Sequence, residues 1–148
     1  MDVKQEAMRM HEEWRGKIEV CSRVEVKDSK ALSLAYTPGV AEPCLAIQKD
    51  PEKSFSLTRR WNMVAVVTDG SAILGLGNIG PEAGMPVMEG KCVLFKELAG
   101  VDAFPLCLNT QDVDELVRTI YFLSVPFGVT KLDDTPAPPC LAVVPQLT

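Results

Sequence analysis

The chain has 148 residues, of which 47% are hydrophobic, 24% charged and 6% aromatic, with a formal net charge of −5; this is the balance of one soluble globular domain and excludes a disordered or fibrous polymer. A chain of this length buries roughly 70% of the surface its unfolded form exposes, enough for a core without disulfide or metal staples. With 20 acidic against 15 basic residues and no basic cluster, it is not composed to bind nucleic acid or an anionic membrane, which leaves small molecules and protein partners.

The polar start MDVKQEAMRMHEEW does not read as a signal peptide, and no run approaches the ~18 apolar residues of a membrane span, so a cytoplasmic protein is expected. Val3, Ala7, Met10 and Trp14 recur at helical spacing after Asp2, and Gly16 supplies a stop. His11, the only histidine, falls on this charged helix as a solvated residue, which argues against nucleophilic catalysis built on a buried histidine. Residues 18–26 alternate loosely and predict an extended segment before a polar turn at 27–30. Pro38 and Gly39 break the chain ahead of a helical stretch that runs to Lys49 and stops before Pro51.

The run MVAVV at 63–67 predicts a strand buried on both faces, followed by a glycine-rich turn at 75–80. A helix is expected over 86–99, a strand over 103–108, and a second amphipathic helix from Asp112, with Glu115 three residues on as in a capping box and Val113, Leu116, Val117 and Ile120 on one face. Residues 127–132 read as a further strand. Strands alternating with helices predict an α/β layered fold with a largely parallel sheet. The stretch 135–148 carries no charge and four of the 11 prolines, and is expected to form an irregular arm. Five cysteines, Cys21, Cys44, Cys92, Cys107 and Cys140, form no CxxC pair and read mostly as reduced core residues.

Four features could carry chemistry. GLGNIG places Gly75, Gly77 and Gly80 in GxGxxG spacing after an apolar strand, which fits either a dinucleotide site or a tight turn shaping a neighbouring pocket; Pro81, Gly84 and Pro86 are expected to delay the helix that a dinucleotide site needs. Lys91 shares a helical face with Val87, Leu94 and Leu98, so it is either a desolvated lysine with a lowered pKa, a competent base, or a lysine whose head reaches water. Tyr36 precedes Thr37, Pro38 and Gly39 at a sharp break, where it presents its hydroxyl to a cleft or packs its ring under the turn. Asp133 and Asp134 form an acidic pair at a strand end, which suits a hard cation such as Mg²⁺ or Mn²⁺, although two carboxylates need water, substrate or another segment to complete the shell.

The stretches KIEV (17–20), LSLAYTPGVAEPCL (32–45), VAVVTDGSAILGLGNIGP (64–81), PVMEGKCVLFKELAGVDAFPLCL (86–108) and TQDVDELV (110–117) closely resemble, in this order, the N-terminal domain of bacterial-type malic enzymes. The resemblance implies a layered sandwich with helices around a mostly parallel sheet. It implies oxidation and decarboxylation of (S)-malate to pyruvate and CO₂ with NAD⁺ or NADP⁺ and Mg²⁺ or Mn²⁺. Tyr36 corresponds to the general acid of the family and Lys91 to its general base, which contacts the substrate. Asp133 and Asp134 correspond to metal ligands, with LDDTPAP here where the family reads LEDISAP, so that Asp133 is one methylene shorter than the usual glutamate. The GLGNIG turn is then the family's own loop rather than a dinucleotide site.

On this reading residues 1–134 are the N-terminal domain and 135–148 a divergent tail. The family's dinucleotide-binding domain, with a further aspartate ligand, is expected to be absent, and the isolated chain is expected to be inactive alone. Two other readings stand beside it: a non-catalytic interaction or regulatory fragment that associates with a full-length malic enzyme, and a small-anion binding module built on the glycine turn. A homo-oligomer is compatible with all three.

Overall fold

The computed structural model describes residues 2–135. Its elements run α1 (Val3–Trp14), α2 (Ser29–Ala35), α3 (Ala41–Lys49), α4 (Ser54–Leu57), β1 (Met63–Thr68), α5 (Pro81–Ala99), β2 (Asp102–Cys107), α6 (Val113–Leu123) and β3 (Val129–Leu132), with short 3-10 helices at Pro51–Lys53, Arg59–Asn62 and Leu74–Leu76. They fall into two compact units, one of Met1–Glu19 with Asn62–Thr148 and the other Val20–Trp61.

In the first unit the three strands lie parallel in the order β2-β1-β3, with Val64 opposite both Ala103 and Val129. Parallel neighbours need crossover connections, and α5 and α6 supply them. Side chains alternate across β1. Ala65 and Val67 pack with Leu116, Val117 and Ile120 of α6, whereas Val66 packs with Ile73, Ala103, and Met88 and Cys92 of α5. With one helix on each face, both sets of β1 side chains are buried, which is why the strand reads as a continuous apolar run rather than an alternating one. The expected α/β architecture with helices around a parallel sheet is what forms.

The helix ends follow local chemistry. The Asp112 side chain accepts a hydrogen bond from the Glu115 backbone N–H at 2.9 Å, and Thr110 Oγ1 donates to the Glu115 carboxylate, so α6 begins at its capping signal. Helix α5 starts at Pro81, five residues earlier than the prolines suggest. A proline at the first helical position needs no donor and brings its φ preset, and Pro86 is carried inside the helix. Lys17, just past the left-handed turn at Arg15 and Gly16, donates through Nζ to the Pro86 carbonyl at 2.7 Å and through its backbone N–H to Glu89 Oε2 at 3.2 Å.

In the unit Val20–Trp61 the expected extended segment at 18–26 forms no strand, and the polar turn at 27–30 is instead the start of α2, capped by Asp28, whose Oδ1 accepts from Ala31 N at 2.7 Å. No residue of this unit is fully buried, so the alternation has no face to cover. Gly39 donates to the Ser33 carbonyl at 2.9 Å. A Cβ there would stand 2.5 Å from that same oxygen, so only glycine permits the approach. The Thr37–Pro38 peptide between Tyr36 and Gly39 is cis.

Candidate functional site

The site is built where β3 runs out. Asp133 N donates to the Val67 carbonyl at 2.8 Å, one step past the paired strand. Asp134 then turns into the left-handed region at φ +50°, a conformation aspartate tolerates better than most residues, and its N–H donates to Asp133 Oδ1 at 3.1 Å. Thr68, fully buried at the end of β1, donates its hydroxyl to the Asp134 carbonyl at 3.3 Å and accepts from Gly70 N at 3.1 Å. Both carboxylates are thereby fixed at the C-terminal end of the sheet.

Lys91 reaches them from the middle of α5. Its Nζ lies 2.7 Å from Asp134 Oδ2 and 3.0 Å from Asp133 Oδ1, and the three side chains are 23%, 19% and 18% exposed respectively. A fourth charged group, Lys131, places its Nζ 3.1 Å from Asp133 Oδ2.

The electrostatics correct the expectation for Lys91. Burial does oppose its charge, but the hydrogen bonds to Asp134 and Asp133, and their charges, outweigh that and raise its pKa above the ordinary 10.5. Asp133 shows the mirror image: burial pushes its pKa up, and the contacts with Lys91 and Lys131 more than offset this and hold it below 3.8. The face of α5 that is buried is Gly84, Met88 and Cys92, one position round from the predicted stripe of Val87, Lys91, Leu94 and Leu98, and Leu94 and Leu98 are exposed. Lys91 is thus an ammonium seated on carboxylates rather than an amine in an apolar stripe.

Tyr36 closes α2, with its N–H on the Leu32 carbonyl at 2.8 Å, and belongs to the unit Val20–Trp61. It is 67% exposed, so its ring is not packed under the turn.

Two carboxylates side by side offer the hard oxygen donors a divalent cation prefers. Among the described residues no group of three or more His, Cys, Asp or Glu is placed to hold a metal ion, so a cation on this pair would need water, substrate or another segment to complete its shell.

The glycine-rich segment is a closed loop rather than a direct turn from strand to helix. It is closed on itself by an Ile73–Gly77 bridge and the short 3-10 helix Leu74–Leu76, and β1 ends seven residues before Gly75. A helix does open directly after Gly80, contrary to expectation. The loop's base is pinned instead at Gly70, whose carbonyl accepts from Ile79 N and Gly80 N, each at 3.2 Å. Of the cysteines, Cys92 is buried and Cys107 half-buried, whereas Cys21 and Cys44 are exposed rather than core; Cys140 and the prolines of the tail lie outside the described residues.

Thr68 and Lys131 escaped the sequence reading. Thr68 leaves a weak signal, a hydroxyl closing an otherwise apolar strand. Lys131 leaves none, since an exposed lysine on an edge strand is ordinary.

The model of the malic enzyme N-terminal domain matches residues 15–148. The chain is 56% identical over 147 residues to a bifunctional malic/malolactic enzyme of Bacillus subtilis, covering 99% of this chain and 36% of that protein. It is 49% identical to an NADP-dependent malic enzyme of Haemophilus influenzae, covering 98% of this chain and 19% of that protein. The fold superposes on the crystal structure of an NAD-dependent malic enzyme from Thermotoga maritima with a TM-score of 0.91 and 48% identity, over 95% of this chain and 37% of that one. The chain therefore spans about a third or less of the length of these relatives.

Proposed function

The chain belongs to the malic enzyme family, and from that premise we propose that it supplies proton-transfer and metal-binding groups for the oxidative decarboxylation of (S)-malate to pyruvate and CO₂. The observation that carries this reading is the Lys91 amine within 2.7 and 3.0 Å of two adjacent carboxylates at a strand end. Lys91, as the free amine, accepts the proton of the C2 hydroxyl. The amine form is reached when Asp133 and Asp134 are engaged elsewhere, because what then remains on Lys91 is desolvation, which favours the neutral state. Tyr36 donates a proton to C3 of the enolate left by loss of CO₂.

Asp133 and Asp134 would hold Mg²⁺ or Mn²⁺, which when bound supplies polarisation of the C2 oxygen. NAD⁺ or NADP⁺ is the hydride acceptor in this proposal, and residues 75–80 are not its site. Mixed with malate, Mn²⁺ and either nucleotide, the 148 residues alone are expected to give no reduction at 340 nm.

A partial reaction tests the proton chemistry without a nucleotide. If Tyr36 protonates C3, it also removes a methyl proton from pyruvate in the reverse direction, so the chain with Mn²⁺ in D₂O should deuterate the pyruvate methyl group, followed by NMR. Tyr36→Phe should abolish the exchange. Equal exchange in the parent and the Phe variant, or none in the parent, overturns the reading.

A further inference from the structure

The two oxygens of Asp133 are engaged by different ammonium groups, Oδ1 by Lys91 at 3.0 Å and Oδ2 by Lys131 at 3.1 Å. Asp134 meets only Lys91 among these, through Oδ2 at 2.7 Å. Two carboxylates and two ammonium groups thus cancel, and a cation approaching Asp133 finds both oxygens taken. From this arrangement we infer that Lys131 is an internal counter-ion that competes with a divalent cation for Asp133 and sets how tightly the Asp133–Asp134 pair holds metal; the inference rests on reading that pair as the metal site.

Of the two lysines, Lys131 is the one placed to yield. Its side chain is 52% exposed and makes one ion pair with the carboxylates, whereas that of Lys91 is 23% exposed and makes two. The ring of Phe95, on α5, lies 5.9 Å from Lys131 Nζ, so the displaced ammonium keeps an attractive surface beside it. With Lys131 neutralised, the cluster facing the incoming ion carries a net negative charge instead of none. An ion pair this exposed is weak, so the effect is modest: removing the charge should tighten cation binding about three- to tenfold.

The test is Mn²⁺ binding to the 148-residue chain, read from the EPR signal of the unbound ion, for the parent, Lys131→Gln and Lys131→Arg. The Gln variant should bind about three- to tenfold more tightly, the Arg variant like the parent, and the gap between Gln and parent should narrow as salt rises and screens the exposed charge. Binding by Gln that is equal to or weaker than the parent overturns the inference, as does equal tightening by Gln and Arg, which would make shape rather than charge the cause. Asp134→Asn separates the two levels of the argument. If it leaves Mn²⁺ binding untouched, the metal reading of the carboxylate pair fails and the role of Lys131 fails with it; if it weakens binding while Gln changes nothing, only the role of Lys131 falls.

Discussion

Lys91 Nζ and Asp134 Oδ2 stand 2.7 Å apart, joining the middle of α5 to the residue that ends the turn out of β3. This ion pair crosses 43 positions of sequence and ties a crossover helix to a strand that is not its sheet neighbour in the chain. Replacing the lysine by Lys91→Met removes the cation the two carboxylates share and leaves Lys131 alone to offset them. For groups about a fifth exposed, the cost should fall between that of surface and buried pairs, about 1–2 kcal/mol in urea unfolding at neutral pH. The pH dependence has a definite sign. Asp133, depressed below 3.8, contributes stability that is present above that value and lost as pH falls through its folded pKa; Lys91, raised above 10.5, contributes stability present below that value and lost as pH rises through its folded pKa. The stability difference between parent and Met variant should therefore be a plateau at intermediate pH that shrinks at both ends.

Charge and proton transfer at Lys91 separate in a second variant. Lys91→Arg keeps a cation for the carboxylates but does not lose a proton near neutral pH. It should unfold within about 1 kcal/mol of the parent, yet lose about 10²-fold or more in malate turnover when placed in a malic enzyme that carries this segment. Turnover close to that of the parent would remove Lys91 from the role of base.

Gly70 and Gly77 both have positive φ, +74° and +75°, but differ in what surrounds them. A Cβ on Gly70 would meet the Gly80 carbonyl carbon at 2.2 Å, whereas one on Gly77 meets nothing within 4 Å. Gly77 lies at φ +75°, ψ −141°, a region essentially reserved for glycine, so Gly77→Ala should cost that backbone strain alone, about 1–3 kcal/mol. Gly70→Ala adds a backbone clash and should cost about 3 kcal/mol or more, seen as a lower midpoint in thermal unfolding.

Cys92 is buried and its thiol is pushed up to about 11 by burial, with the charge of Glu89 adding to it. At pH 8 only about one part in a thousand is thiolate, so a maleimide should leave it unlabelled in the native protein and modify it in denaturant. Cys44, exposed, should label in both states. Native labelling of Cys92 at the rate of Cys44 would mean that the α5 face of the sheet opens readily.

Much of the fold was legible because burial leaves a pattern in neighbouring residues. β1 declared itself by an unbroken valine-rich run, and α6 by Asp112, Glu115 and an apolar face at helical spacing. Helix α2 did not, since seven residues give too few turns for periodicity to show and its Asp28 cap sits in what reads as a polar turn. Pro81 reads as a break, yet a proline that forbids a helix interior favours its first position, which is where Pro81 stands. At the site, the residue types of Lys91, Asp133 and Asp134 were legible and their union was not. A lysine in an apolar stripe argues for a lowered pKa only while the carboxylates that meet it, 42 and 43 positions later, stay out of view.

The junction of Gly70 with Gly80 also fixes a distance. Helix α5 begins at Pro81, directly after that clamp, and Lys91 follows ten residues on, so at 1.5 Å per residue its backbone stands about 15 Å along the axis from the anchored end. Each residue also turns the helix by about 100°, so one inserted or deleted position between Pro81 and Lys91 would swing the amine away from the carboxylates while leaving every side chain of the site in the sequence. The segment between clamp and lysine works as a ruler, and its length is as much a part of the site as the residues at its end.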